Sequence, residues 1–226
     1  KNPGSGRKVR DVSDLTLVIG NKNYSSWSLR PWILMRTLGI DFAERLIPFD
    51  YEGGNAAIKA VSPSGRVPML IDGALKIWES LAIFEYLAER FPARAVWPDD
   101  TARRAEARSV SCEMATGFFS LRGQCPFNLH RKTAPISVDA SLAGDVQRID
   151  TLWQTLLEKH GGPFLFGAFS GADAMFAPVV GRFRSYGLNR SPAAQLYMDA
   201  VAGLPAWKEW ETAALAETWI VAGSEV

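Results

Sequence analysis

One stretch limits what this chain can fold into: Ser64-Gly65-Arg66-Val67-Pro68-Met69-Leu70-Ile71-Asp72-Gly73-Ala74-Leu75-Lys76-Ile77-Trp78-Glu79-Ser80-Leu81. Two short apolar runs, Met69 to Ile71 and Leu75 to Trp78, flank Asp72-Gly73, a dipeptide that tolerates positive φ and closes a tight hairpin. Pro68 has no N–H for a sheet ladder, so it belongs at the leading edge of the first strand. X-Pro is also the common place for a cis bond, which would turn the chain sharply and present the backbone of Val67. After the second strand, Glu79-Ser80 opens a helix running through Leu81, Phe84 and Leu87. Ser80 is a good cap for it, and the helix start offers free N–H groups to an anion. An exposed backbone edge, a carboxylate and an anion-binding turn side by side suit a small zwitterionic ligand.

The rest of the chain excludes several competing classes. At 226 residues it has room for one large or two modest domains. Lys and Arg are scattered and the net charge is +1, so neither nucleic acid nor an anionic membrane is an expected partner. No apolar run approaches the roughly 20 residues needed to span a bilayer. Cys112 and Cys125 have neither C-x-x-C spacing nor a metal-ligand pattern with the two histidines, His130 and His160. A reducing, cytoplasmic setting without a metal fits that usage. Residues 1–14 are polar, lack an apolar h-region and read as a flexible tail rather than a signal peptide.

Taken in order, Leu15 to Gly20 reads as a buried strand. A polar turn follows, Asn21 to Trp27, and then a helix with Leu29, Trp32, Ile33, Arg36 and Leu38 at helical spacing. Pro31 sits in its first turn and Gly39 is its stop. Ser25 and Ser26 thus lie at a strand-to-helix turn. Two readings stand there: one serine donates a hydrogen bond to a thiol and favours its thiolate, or Ser25, Ser26 and Ser28 are cap residues only. Arg45 to Phe49 reads as an edge strand, with Pro48 keeping it off the sheet centre, and Asn55 to Ala60 as a short helical turn. Strand, helix, strand, helix, hairpin and helix make a thioredoxin-like α/β layout over residues 15–91.

Residues 92–100 form a linker, with Pro92 and Pro98 and a shift in composition. The remainder, 101–226, reads as an all-helical domain. Thr101 caps a helix to about Arg122, and Ser137 caps another over residues 137–160. His160 is expected to complement the dipole at that helix end. Ser170 with Asp173 resembles a capping box ahead of a helix that is apolar all round, interrupted by Pro178, and so expected at the centre of a bundle. Pro205 opens the last amphipathic helix.

Val67-Pro68, the hairpin and Glu79-Ser80, in that order, resemble the glutathione-binding half of the cytosolic glutathione S-transferase family. The nearest likeness is to its bacterial-type, serine-using members with zeta-like or tau-like motifs. In that family the residue before the cis-proline pairs with the cysteinyl backbone of glutathione, and the Glu-Ser pair holds its γ-glutamyl end. The serine-using members place the active hydroxyl five residues before an Arg of the first helix, and a Gly ends that helix nine residues later. Ser25, Arg30 and Gly39 keep both spacings. The resemblance covers residues 15–220 and implies Ser25 as the activating hydroxyl, with Ser26 in reserve and Tyr24 a distant third. It further implies Arg66, Val67, Pro68, Glu79 and Ser80 as glutathione contacts, glutathione as co-substrate, a homodimer and a conjugating, detoxifying reaction. For Arg66 a solvated loop arginine is the plain alternative.

On the acceptor side, Met114, Phe118, Phe119 and Arg122 lie at helical spacing, either as a cleft for an apolar electrophile or as bundle core. Two other functions stay open. One is glutathione-dependent isomerisation of the maleylacetoacetate type, although Ser25-Ser26-Trp27 stands where that branch has Ser-Ser-Cys. The other is a non-catalytic ligand carrier or interaction module on the same fold. Disulfide reduction of the omega-like kind would need a cysteine in place of Ser25.

Overall fold

The structure, a computed structural model, describes residues 15–225. The expected tail at residues 1–14 lies outside the described residues. The first half is a four-stranded sheet with helices: β1 Leu15–Ile19, α1 Ser26–Thr37, β2 Ala43–Leu46, α2 Ala56–Val61, β3 Met69–Asp72, β4 Leu75–Ile77 and α3 Ser80–Arg90. Strand order is β2-β1-β3-β4, with β1 parallel to β2 and antiparallel to β3, and β3 antiparallel to β4. This is the thioredoxin-like layout expected. The second edge strand starts and ends earlier than its sequence reading, because Ile47 closes the pairing to Ile19 O at 2.9 Å and Pro48 lies beyond it.

The hairpin forms, one residue away from its expected turn. Asp72 pairs with Leu75, so the turn is Gly73-Ala74, with Gly73 at φ +59. Asp72 stays in the strand because its carboxylate accepts from Tyr86 Oη at 2.6 Å, tying β3 to α3. The Val67–Pro68 peptide is cis, as is Trp78–Glu79.

The second half is helical: α4 Thr101–Thr116, α5 Phe119–Gln124, α6 Ala140–His160, α7 Gly171–Ser185, α8 Pro192–Gly203 and α9 Pro205–Leu215, then a single turn at Ala222–Ser224. Three expectations are corrected. The helix after Thr101 is two helices, because Gly117 leaves the helical region and Phe118 turns left-handed at φ +56 to bury its ring. Its cap is Asp100, whose carboxylate accepts from Arg103 N, not Thr101. The next helix is likewise capped by Asp139, accepting from Leu142 N at 2.8 Å, and not by Ser137. A carboxylate satisfies a first-turn N–H and meets the helix dipole with a full charge, so it outcompetes a neighbouring hydroxyl.

Helix α7 is buried on every side from Gly171 to Phe183 and runs unbroken past Pro178. The capping box closes as expected: Asp173 accepts from the Ser170 backbone at 2.9 Å and also from Leu165 N at 3.0 Å. Gly171 is obligatory for this packing, since a Cβ there would stand 2.7 Å from the Trp97 ring. Helix α7 packs on α1 and α4, so the core is continuous from the sheet layer into the bundle. His160 stands in the last turn of α6, as its dipole reading expects. Its side chain is also buried, with Nε2 2.9 Å from Glu106 of α4 and its ring 4.7 Å from that of Phe166. Among the described residues no helix is long and apolar enough to cross a membrane.

Candidate active site

The register of β3 against β1, Val18 opposite Met69, sets the exit of β1 beside the chain that enters β3 through Val67-Pro68. The exit of β1 runs into the Ser25 turn. The starts of α1 and α3 meet at the same edge, where Ser80 Oγ donates to Trp27 O at 3.5 Å. Contrary to its reading as a cap, Ser80 is the first residue of α3; Glu79 holds the cap position, and no side chain caps this helix. Its first-turn N–H groups therefore remain for an anion. Glu79 and Arg66 are exposed, Val67 is half-buried and Pro68 buried. The structure thus brings Ser25, Ser26, the Val67-Pro68 backbone and Glu79-Ser80 to one edge.

Ser25 is the N-cap of α1 and is buried. Its oxygen accepts from Ser28 N at 3.4 Å, and its hydroxyl donates to Ser28 Oγ at 2.7 Å. Ser28 Oγ also accepts from Gly20 N at 3.1 Å, anchoring the turn to β1. Both sequence readings of the serine group therefore meet in Ser25: it caps the helix while its proton points along a hydrogen bond. Ser26 Oγ lies 3.5 Å from Arg182 Nη2 on α7. Tyr24 is turned from this edge, its hydroxyl donating to Glu225 at 2.5 Å.

The turn is held from a distance. Glu217, just past α9, accepts from Lys22 N at 2.7 Å and from Asn23 N at 3.0 Å. Trp210 Nε1 donates to Lys22 O at 3.0 Å. Asn23 Oδ1 accepts from the Leu129 and His130 backbone N–H groups. Burial raises the Glu217 carboxyl above its usual range, opposed by the two amides and by Lys22. None of Ser28, Glu217 or Arg182 stood out as functional in the sequence. Arg182 alone carried a signal, a cation within a largely apolar helix.

The four residues proposed for an acceptor cleft divide. Met114 and Phe118 are buried in the core and offer no surface, which corrects their cleft reading in favour of bundle core. Phe119 is 71% exposed. Arg122 is half-buried, its guanidinium 5.3 Å from the Trp27 ring and 5.4 Å from Phe119. Only the latter two face the Ser25 edge. Burial pushes the Cys125 thiol up to about 11, which leaves it inert. Among the described residues no group of three or more His, Cys, Asp or Glu could hold a metal.

A thioredoxin-like layer with a serine at its first helix, joined to a helical bundle through α7, defines a class of two-part α/β and all-α proteins. The glutathione S-transferase N-terminal domain family matches residues 24–90, and the glutathione S-transferase C-terminal domain family matches residues 139–213. This chain belongs to the glutathione S-transferase family. A probable maleylacetoacetate isomerase of Caenorhabditis elegans is 27% identical over 81% of this chain and 87% of its own length. One from Vibrio cholerae serotype O1 is 26% identical over 86% of this chain and 95% of its own. Among solved structures, a glutathione transferase homolog from Burkholderia gl BGR1, with bound glutathione, superposes with a TM-score of 0.71 at 22% identity. That match covers 90% of this chain and 99% of the other.

Proposed function

We propose that this chain binds glutathione at the edge where α1 and α3 begin, and activates its thiol for attack on an electrophilic small molecule. The Val67 backbone pairs with the cysteinyl part of the ligand, and Glu79 with the uncapped start of α3 at Ser80 holds its γ-glutamyl end. Arg66 lies near enough in sequence to meet a carboxylate, and Ser25 donates to the sulfur. The observation that carries this reading is the meeting of the two helix starts at Ser80 and Trp27, beside the chain that enters β3. An anion-binding turn beside a hydroxyl, in a family that uses glutathione, supports this reading. A homodimer in the cytoplasm is the expected assembly. Calorimetry tests the site: Glu79→Ala and Ser80→Ala should each weaken glutathione binding by about 1.5–3 kcal/mol, the worth of a charge-assisted hydrogen bond. Unchanged affinity in both variants would sink it.

A second reading, glutathione-dependent isomerisation, is supported by the relatives named maleylacetoacetate isomerase, which align over most of the chain. In that reaction the sulfur adds to an unsaturated acid and leaves again, so glutathione is not consumed. Counting free thiols before and after turnover separates the two.

A further inference from the structure

We propose that Arg122 and Arg182 form an anion-binding subsite beside Ser26 and Trp27, and that the acceptor taken at this edge carries a carboxylate. The word acceptor rests on the glutathione reading above; the anion site rests on its own residues.

Three guanidinium groups from three helices gather at the start of α1: Arg30 of α1, Arg122 of α5 and Arg182 of α7. Arg30 is held by two carbonyls and a ring. It donates to Met175 O at 3.0 Å and to Ser26 O at 3.1 Å, and lies 4.0 Å over the Trp27 ring. Arg182, 5% exposed, donates from Nε to Cys125 O at 2.8 Å and reaches Ser26 Oγ only at 3.5 Å. Its Nη1 is buried with no acceptor. Arg122 reaches two carbonyls, of Ala115 and Gly117, both at 3.4 Å. Every acceptor in the group is neutral.

Among the described residues no carboxylate pairs with any of the three, whereas Arg108, Arg148 and Arg184 on the surface each have one. The three also repel one another. Burial first, then Arg182 and Arg122, hold the Arg30 guanidinium well below its usual range, and burial with Arg122 brings Arg182 down to about 10. Burying cations without a counter-charge is costly, and a buried donor without an acceptor adds to it. An arriving carboxylate removes both costs, because its two oxygens match the planar fork of an arginine. Arg122 and the exposed Phe119 stand at the outer side and Arg182 at the inner side, so the anion enters past Phe119. A purely apolar acceptor would leave the cluster uncompensated.

The test compares meta-nitrobenzoate with its neutral amide by calorimetry on the full chain, with and without saturating glutathione. Turnover is then read with the acid and the amide of para-chloro-meta-nitrobenzoate. In that reaction the thiolate sulfur bonds to the ring carbon, the carbon–chlorine bond breaks and chloride leaves. Binding of the acid should be about tenfold or more tighter than of the amide, the worth of one charged hydrogen bond. Arg122→Gln and Arg182→Gln should erase that preference and raise KM for the acid more than for the amide, while glutathione affinity stays within about threefold. If Arg182→Gln does not fold, Arg122→Gln decides alone. Equal binding of acid and amide by the wild type overturns the proposal, as does a preference that survives in Arg122→Gln. An equal loss of glutathione affinity gives the cluster to glutathione itself and also overturns it. A wild type that ignores glutathione yet prefers the acid upholds the anion site and sinks the function proposed above.

Discussion

Ser25 carries a proton with a choice of acceptors. Its hydroxyl now donates to Ser28 Oγ, a neutral oxygen that also receives Gly20 N–H. A thiolate at the turn would compete for that proton, and a charged acceptor makes a bond about twice as strong as a neutral one. We therefore expect Ser25→Ala to raise the pKa of the bound thiol while leaving glutathione affinity nearly intact, since in the proposed site Glu79, Ser80 and the Val67 backbone hold either charge state. A pKa higher by about one lowers the thiolate population roughly tenfold at a pH well below it. The rate near neutrality should fall at least as far and recover in part as pH rises. Spectroscopic titration of the bound thiol checks this, with Ser26→Ala in parallel. A raised pKa in Ser26→Ala alone would move the role to Ser26, and no change in either would give it to the backbone N–H groups. At a second residue, Glu217→Ala removes the acceptor of two amides in the Ser25 turn. Stability should drop by about 1–3 kcal/mol, with kcat falling further than glutathione affinity.

Among the elements, α7 bears the heaviest consequence for folding. Asp173 lies fully buried at its start and satisfies both Ser170 N and Leu165 N. Asp173→Ala strands both donors and removes the cap, and chemical denaturation should register a loss of about 2–4 kcal/mol. Burial, against those hydrogen bonds, raises this carboxyl from 3.8 to about 6. The folded protein thus holds the proton more tightly than the unfolded chain. The resulting stabilisation is complete below 3.8 and is lost as pH rises through about 6. Denaturation midpoints taken across that window should fall with rising pH, and Asp173→Asn should flatten the slope. The capping box and the all-round apolar run of α7 were legible because both lie within a few consecutive residues. The break between α4 and α5 was not. Gly117 is a weak signal inside a helical pattern, and what turns Phe118 inward is the core it enters. The caps moved from Thr101 to Asp100 and from Ser137 to Asp139 because polar neighbours compete, and only geometry decides between them.

Over the whole molecule, one half of the site was readable and the other was not. Ser25, Val67-Pro68 and Glu79-Ser80 are local motifs, each carrying its own turn or helix start. Arg182 and Glu217 reach the same edge from α7 and from beyond α9, and nothing in their sequence surroundings says which turn they meet. The chain as a whole should be dimeric at micromolar concentration by light scattering; a monomer would refute the assembly and leave the site untouched. The reach of Glu217 also bears on synthesis. The turn it holds, at Lys22 and Asn23, is translated 195 and 194 residues before it. On a ribosome, the first sheet and both helix starts emerge long before the carboxylate that fixes the Ser25 turn. A growing chain thus passes through a long interval with the edge of the sheet complete and the Ser25 turn unbraced, and the proposed site is finished only when its last helices dock.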